Sequence, residues 1–178
     1  MGAHARVLQG ASLLMPDEWT RDAYRISTDP ALIDLDVVHG YLSRSYWSAG
    51  VMREVVARSI EHSLCFGIYV GDVGDAQVGF ARVITDYATI GYLADVFVLE
   101  EHRGRKLAVW LVETIMAHPL LQNFRVWRLG TRDAHTLYEK VGFRPLAHPD
   151  RMMEKVSPDL YAGDETLAAE RPPVGTGL

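Results

Sequence analysis

The stretch that most constrains this chain is ADVFVLEEHRGRKLAVWLVETIM, Ala94 to Met116. It begins as a β-rich apolar run, passes through a charged segment around Gly104, and continues from Leu107 with Ala108, Leu111, Val112, Ile115 and Met116 at helical spacing. Strand, tight turn and helix in that order leave the first backbone N–H groups of the helix unpaired, and the helix dipole makes that end attractive to an anion. His102, Arg103, Arg105 and Lys106 concentrate positive charge here, in a chain whose formal net charge is -5. A phosphorylated small molecule suits such a turn; the plainer alternative is a solvated turn whose arginines pair with Glu100 and Glu101. The segment matches neither GxxxxGK[ST] nor GxGxxG, which argues against ATP-type and dinucleotide loops.

With 178 residues, 48% of them hydrophobic, the chain has enough apolar material for one well-buried core, and a single α/β domain is expected. We expect a flexible arm over 1–17, the domain over 18–157 and a flexible tail over 158–178. Tyr24, Ile26 and Thr28 alternate as in a short strand, which Asp29-Pro30 ends. Leu32 to Leu42 has helical spacing, as does the run containing Val51, Val55, Val56 and Ile60, with Ser48 near its N-cap. Between them the loop SRSYWSAG carries Tyr46 and Trp47; with Tyr41 they either cover the core or wall a pocket. Leu64–Val70, Gln77–Tyr87 and Ile90–Leu99 read as strands joined by tight turns, hence an antiparallel meander. Pro119 limits the helix that begins at Leu107. Phe124–Leu129 then reads as a strand and His135–Val141 as a short helix stopped by Gly142. A return strand is expected from Phe143 and a terminal one over Arg151–Val156.

Several classes fall away on composition. An acidic chain offers no general basic surface for nucleic acid. The lone Cys65, inside LCFGIYV, cannot support a disulfide framework and reads as a buried core thiol. No apolar run approaches the ~18 residues of a membrane span, and the N-terminus lacks a secretory pattern, so a cytoplasmic location is expected. The seven histidines show no metal-ligand spacing and no metal is expected.

A second strand-loop-helix transition carries TRDAHTLYEKVGF, Thr131 to Phe143. LYEKVGF, together with a strand that ends in a V-x-E-x-x-R-G sequence at Val98 to Gly104, resembles GNAT-type acyl-CoA-dependent N-acetyltransferases over Ala76 to Lys155. The resemblance implies a mixed, largely antiparallel central sheet with helices on both faces and a splayed parallel strand pair at the cofactor site. It implies acetyl-CoA (or CoA) as cofactor, with Val96, Phe97 and Val98 offering backbone groups to the pantetheine arm. Arg103, Gly104, Arg105, Lys106, Leu107 and Ala108 would form the pyrophosphate turn. In the family pattern R-x-x-G-x-G/A, Arg103 and Ala108 match and Lys106 replaces the glycine, which ordinary helical dihedrals would accommodate. Asp133 stands where family members often have Asn.

The same resemblance places Tyr138 near the acyl sulfur, as donor to the departing thiolate when a neutral amine attacks the thioester directly. For the base, Asp95 is the first candidate and Glu100 the second, with a water chain as the alternative; Asp95 could equally hold the substrate amine. Tyr41, Tyr46, Trp47 and Asp95 are the candidate substrate contacts. The implied activity is acetyl transfer to a primary amine of a small molecule, with homodimerisation by family analogy. A protein or peptide N-acetyltransferase and a non-catalytic acyl-CoA-binding module are the alternatives.

Overall fold

The structure, a computed structural model, describes residues 16–71 and 76–157. The arm expected over 1–17 lies outside the described residues except for its last two, and the tail expected over 158–178 lies wholly outside them.

Six strands form one sheet in the order β1-β2-β3-β4-β5-β6, spanning Glu18–Arg21, Tyr24–Ser27, Leu64–Val70, Ala76–Thr85, Ile90–Val98 and Val126–Arg128. Every neighbouring pair is antiparallel except β5 and β6, which run parallel. The meander from β3 to β5 is the one expected from the turn residues. β1 is an addition: it pairs with β2 through a two-residue turn at Asp22 and Ala23, with Asp22 left-handed at φ 53°. That turn lacks glycine, the usual signature of a two-residue hairpin, and so carries no local cue.

Adjacent strand residues point to opposite faces, and the core divides accordingly. Cys65, Phe80 and Phe97 join Val38, Leu42 and Val56 on one side, whereas Phe66, Ala81 and Val98 join Leu111, Val112 and Ile115 on the other. Thus α1 (Leu35–Leu42) and α2 (Arg53–Glu61) cover one face and α3 (Leu107–Ala117) the other. Asp34 caps α1 by accepting from the N–H groups of Asp36 and Val37, while Asp29 caps a separate 3-10 turn over Pro30–Leu32. The helix expected from Leu32 is therefore split by two aspartate caps. Ser48 does not cap α2, which starts after Met52 with no side-chain cap.

Beyond β6, α4 (His135–Glu139) is short and ends as expected near Gly142, at φ 94°. The strands expected from Phe143 and over Arg151–Val156 do not form; a 3-10 turn over Pro149–Arg151 stands there instead. Pro145 and Pro149 each remove an N–H that a ladder would need, which is enough to prevent regular pairing. No helix among the described residues is long and apolar enough to cross a membrane.

Candidate active site

The site begins as a defect in the sheet. β5 and β6 pair only at Ile90 with Val126, Gly91 with Trp127 and Tyr92 with Arg128. From Leu93 onward β5 continues with no strand on that side, and the gap opens into a cavity of about 400 Å³ lined by both diverging segments. This is the splayed parallel pair that the family resemblance implied. Its walls carry backbone polar groups that no neighbouring strand consumes, where an extended ligand can pair.

A second irregularity aims a carboxylate into that gap. Phe80 pairs with Phe97 and Arg82 with Ala94, so Asp95 and Val96 together face the single residue Ala81. This bulge holds Asp95 at φ 55°. Asp95 accepts from Arg82 Nε through Oδ2 at 2.5 Å and from Trp47 Nε1 through Oδ1 at 3.2 Å. Arg82 also donates from Nη1 to Ser63 Oγ at 3.3 Å. Both charged side chains are largely buried, at 17% and 8% exposure, so the pair is stabilising only because each partner satisfies the other.

The loop between α1 and α2 forms the next wall. The ring of Tyr46 meets that of Trp47 edge-on at 4.9 Å, its hydroxyl accepts from the backbone N–H of Arg132 at 3.0 Å, and the Arg132 guanidinium lies over its face at 3.8 Å. Tyr46 and Trp47 therefore wall the cavity and tie the α1–α2 loop to the segment after β6. Tyr41 is not among the cavity's lining residues: it stacks on Phe97 with centroids 3.9 Å apart and accepts from Arg103 Nη2 at 3.1 Å.

Local geometry at the end of α4 fixes Tyr138. The N–H of Phe143 donates to the carbonyl of Tyr138 at 3.2 Å and that of Gly142 to Glu139 at 3.1 Å, the paired bonds of a Schellman ending with glycine in the left-handed position. Phe143 folds back edge-on against the Tyr138 ring at 6.0 Å. LYEKVGF is thus a helix stop that clamps the ring of its own tyrosine. Tyr138 is 8% exposed and separates the cavity in the splay from a second of about 400 Å³ beside Trp127, Leu146 and Met152. Burial, with smaller contributions from Tyr46 and Asp133, pushes its hydroxyl up to about 12, so it stays protonated at neutral and mildly alkaline pH.

At the far end of β5 the charged turn leads into α3. Gly104 and Lys106 are both left-handed, at φ 77° and φ 59°. Lys106 therefore does not have the helical dihedrals that would make the replacement of glycine unstrained, because it precedes the helix rather than opening it. Among the described residues, the N–H groups of Lys106, Leu107, Ala108 and Val109 have no acceptor, leaving an open anion cradle. The two arginines turn away from it: Arg103 Nε donates to the Val98 carbonyl at 3.1 Å, and Arg105 Nη1 to that of Glu101 at 2.8 Å. No partner for the Lys106 ammonium is present among the described residues, which makes it the cation available to a ligand at the turn.

The structure thus brings Asp95, Val96, Asp133, Tyr138, Tyr46 and Trp47 around one cavity, with Arg103–Ala108 forming the turn at the start of α3. Phe97 and Val98 are packed on opposite faces of the sheet. Glu100, the second candidate base, pairs with Arg103 in the exposed 3-10 turn after β5. Sequence reasoning missed Arg82 and Arg132. The cue for Arg82 was present: it shares the strand face of Phe80, where a charge demands a buried partner. Cys65 is buried as expected, and burial pushes its thiol up to about 12, away from nucleophilic use. No cluster of metal-ligating side chains occurs among the described residues.

The acetyltransferase (GNAT) domain family matches residues 62–145. A Gibberella zeae protein named as an acetyltransferase is 31% identical over 162 residues, covering 79% of this chain and 90% of its own length. A crystal structure of a GNAT-family acetyltransferase from Xanthomonas campestris pv. campestris is 46% identical, with a TM-score of 0.74 over 80% of this chain and 99% of that one. A Clostridium acetobutylicum protein described as a predicted acetyltransferase, solved with acetyl-CoA, shares the fold at 15% identity, with a TM-score of 0.54 over 75% of this chain and 94% of that one.

Proposed function

Because the chain belongs to the GNAT acetyltransferase family, we propose that it transfers an acetyl group from acetyl-CoA to the primary amine of a small molecule by direct attack. The unpaired N–H groups at the start of α3 and the Lys106 ammonium suit a pyrophosphate, and the unpaired flank of β5 suits the amide groups of a pantetheine arm. The shared fold with the acetyl-CoA-bound Clostridium protein supports the same choice. When bound, acetyl-CoA supplies a thioester carbonyl that a neutral amine can attack, with the sulfur leaving as thiolate.

The observation that carries the reading is that Tyr138 and Asp95 line one cavity at the splay. Tyr138, kept protonated by burial, donates the proton that the leaving thiolate takes up, and its phenolate regains the proton that the attacking nitrogen sheds on becoming the amide. Asp95 already receives hydrogen bonds on both oxygens, so its role is to anchor the incoming ammonium through its remaining lone pairs. The proton that the ammonium must lose before attack then passes to water in the open cavity. Tyr46 and Trp47 close one side of a space of about 400 Å³, a scale suited to a small amine rather than an extended peptide.

The test is acetyl-CoA-dependent thiol release with amino acids, polyamines, aminoglycosides and short peptides as acceptors. Turnover of a small-molecule amine is expected. Turnover restricted to peptides would move the assignment to a peptide N-acetyltransferase, and tight acetyl-CoA binding with every acceptor class inert would make the chain a non-catalytic acyl-CoA-binding module.

A further inference from the structure

We infer that Arg21, in the N-terminal hairpin, is a positioning residue for the turn at the start of α3 and holds Lys106 in a conformation that otherwise calls for glycine. The inference rests on the reading that acetyl-CoA places its pyrophosphate at this turn. Arg21 Nη2 donates to the carbonyl of Arg105 at 3.4 Å and to that of Lys106 at 3.2 Å. Its guanidinium also lies over the Trp110 ring at 4.6 Å, and the backbone N–H of Trp110 donates to the same Lys106 carbonyl at 3.0 Å. Tyr24, the strand partner of Arg21 across the hairpin, holds the other end of the turn through a 3.0 Å contact between its hydroxyl and His102 Nδ1.

Peptide planarity gives these contacts their directional effect. The carbonyl of Arg105 shares a rigid plane with the N–H of Lys106, and the carbonyl of Lys106 shares one with the N–H of Leu107, each N–H pointing opposite to its carbonyl. Drawing both carbonyls toward Arg21 therefore turns both N–H groups away from the hairpin, as donors for an anion. Glycine would reach the φ of 59° at position 106 without steric opposition, whereas a β-carbon resists it. The clamp from Arg21 supplies the hold that the missing glycine would have made unnecessary.

The experiment is isothermal titration of CoA and dephospho-CoA into the wild type, R21A, R21K and the double variant R21A/K106G, with amide spectra of each apo protein. R21A should weaken both ligands by about tenfold, the scale of a lost charge-assisted hydrogen bond. R21K keeps the charge and a nitrogen that can donate to both carbonyls but loses the planar guanidinium over Trp110, so it should fall between R21A and the wild type. Adding K106G to R21A should restore affinity to within about twofold of the wild type, and return the displaced amide resonances of 104–109 to near their original positions. Unchanged affinity in R21A and R21K, or failure of K106G to restore it, overturns the inference. A loss confined to CoA and absent for dephospho-CoA also overturns it, because Arg21 would then be meeting a ligand phosphate directly. A wild type that binds neither ligand defeats the proposed function instead. The clamp is then decided by the amide resonances alone, and their staying fixed in R21A overturns it.

Discussion

Arg82 and Asp95 meet at 2.5 Å across β4 and β5, beside the bulge at which Asp95 and Val96 together face Ala81. Counted from Phe80 and Phe97 the ladder would set Arg82 opposite Asp95, and counted from Val83 and Leu93 it sets Arg82 opposite Ala94; the bulge joins the two registers and the contact persists across it. The pair does two things together: it neutralises a charge in the core and sets a carboxylate at the edge of the open cleft.

Replacing Arg82 with Met should cost about 3 kcal/mol, because it strands the Asp95 carboxylate with only Trp47 for company. Urea unfolding measures the loss. Asp95→Asn keeps an acceptor for Trp47 while removing the charge; it should raise KM for the amine more than it lowers kcat if Asp95 anchors the ammonium. A kcat defect that eases as the amine becomes neutral at higher pH would instead identify Asp95 as the base.

Tyr138→Phe should lower kcat by about 100-fold with the KM for acetyl-CoA nearly unchanged, the scale expected of a lost general acid. With its hydroxyl raised to about 12, wild-type activity should show no alkaline decline from Tyr138 below pH 10. Steady-state kinetics from pH 7 to 10 tests both statements, and equal kcat in the variant would remove Tyr138 from the chemistry.

His118 predicts a pH dependence of stability. Its ring is 2% exposed, accepts from the Leu120 N–H through Nδ1 at 3.2 Å and contacts Asp17 through Nε2 at 3.1 Å. Burial lowers its pKa despite the opposing pull of Asp17, so the unfolded chain binds the proton more readily than the folded one. Stability from this group is present above the unfolded value of 6.5 and is lost as pH falls through the lowered folded value. Chemical unfolding at pH 7.5 and 5.5 should show the loss. In His118→Asn, which retains a capping acceptor, the slope over this interval should shrink.

Lys106→Gly should stabilise the protein by about 1 kcal/mol, by relieving a left-handed β-carbon. Gly142→Ala should do the reverse by a similar amount and also lower turnover, because the same ending fixes Tyr138. Thermal melts of the two variants should move in opposite directions.

The meander was legible because apolar alternation and turn residues marked β3 to β5, and α4 because LYEKVGF carries its own stop signal, whereas the splay came only with the family resemblance. Less visible was everything set by pairing between distant strands. β1 has only a short alternating pattern and a turn without glycine, and the bulge at Asp95 depends on register with β4, which no local window contains. The dihedral of Lys106 was misjudged for the same reason: its left-handed geometry is accompanied by contacts to Arg21, a residue on another element. At the C-terminal side, the apolar character of Phe143 and Met152 suggested strands, but the intervening prolines prevailed.

The three rungs joining β5 to β6 also act as a ruler for the cleft at the candidate active site. Each further rung would advance the point of divergence by about 3.3 Å along β5 and close that much of the cleft. One added pair would bring Leu93 into the ladder and a second would reach Ala94, next to the bulge. Cleft depth is therefore governed by where hydrogen bonding stops, a backbone property that can lengthen or shorten the reach for an acceptor without exchanging any side chain that touches it.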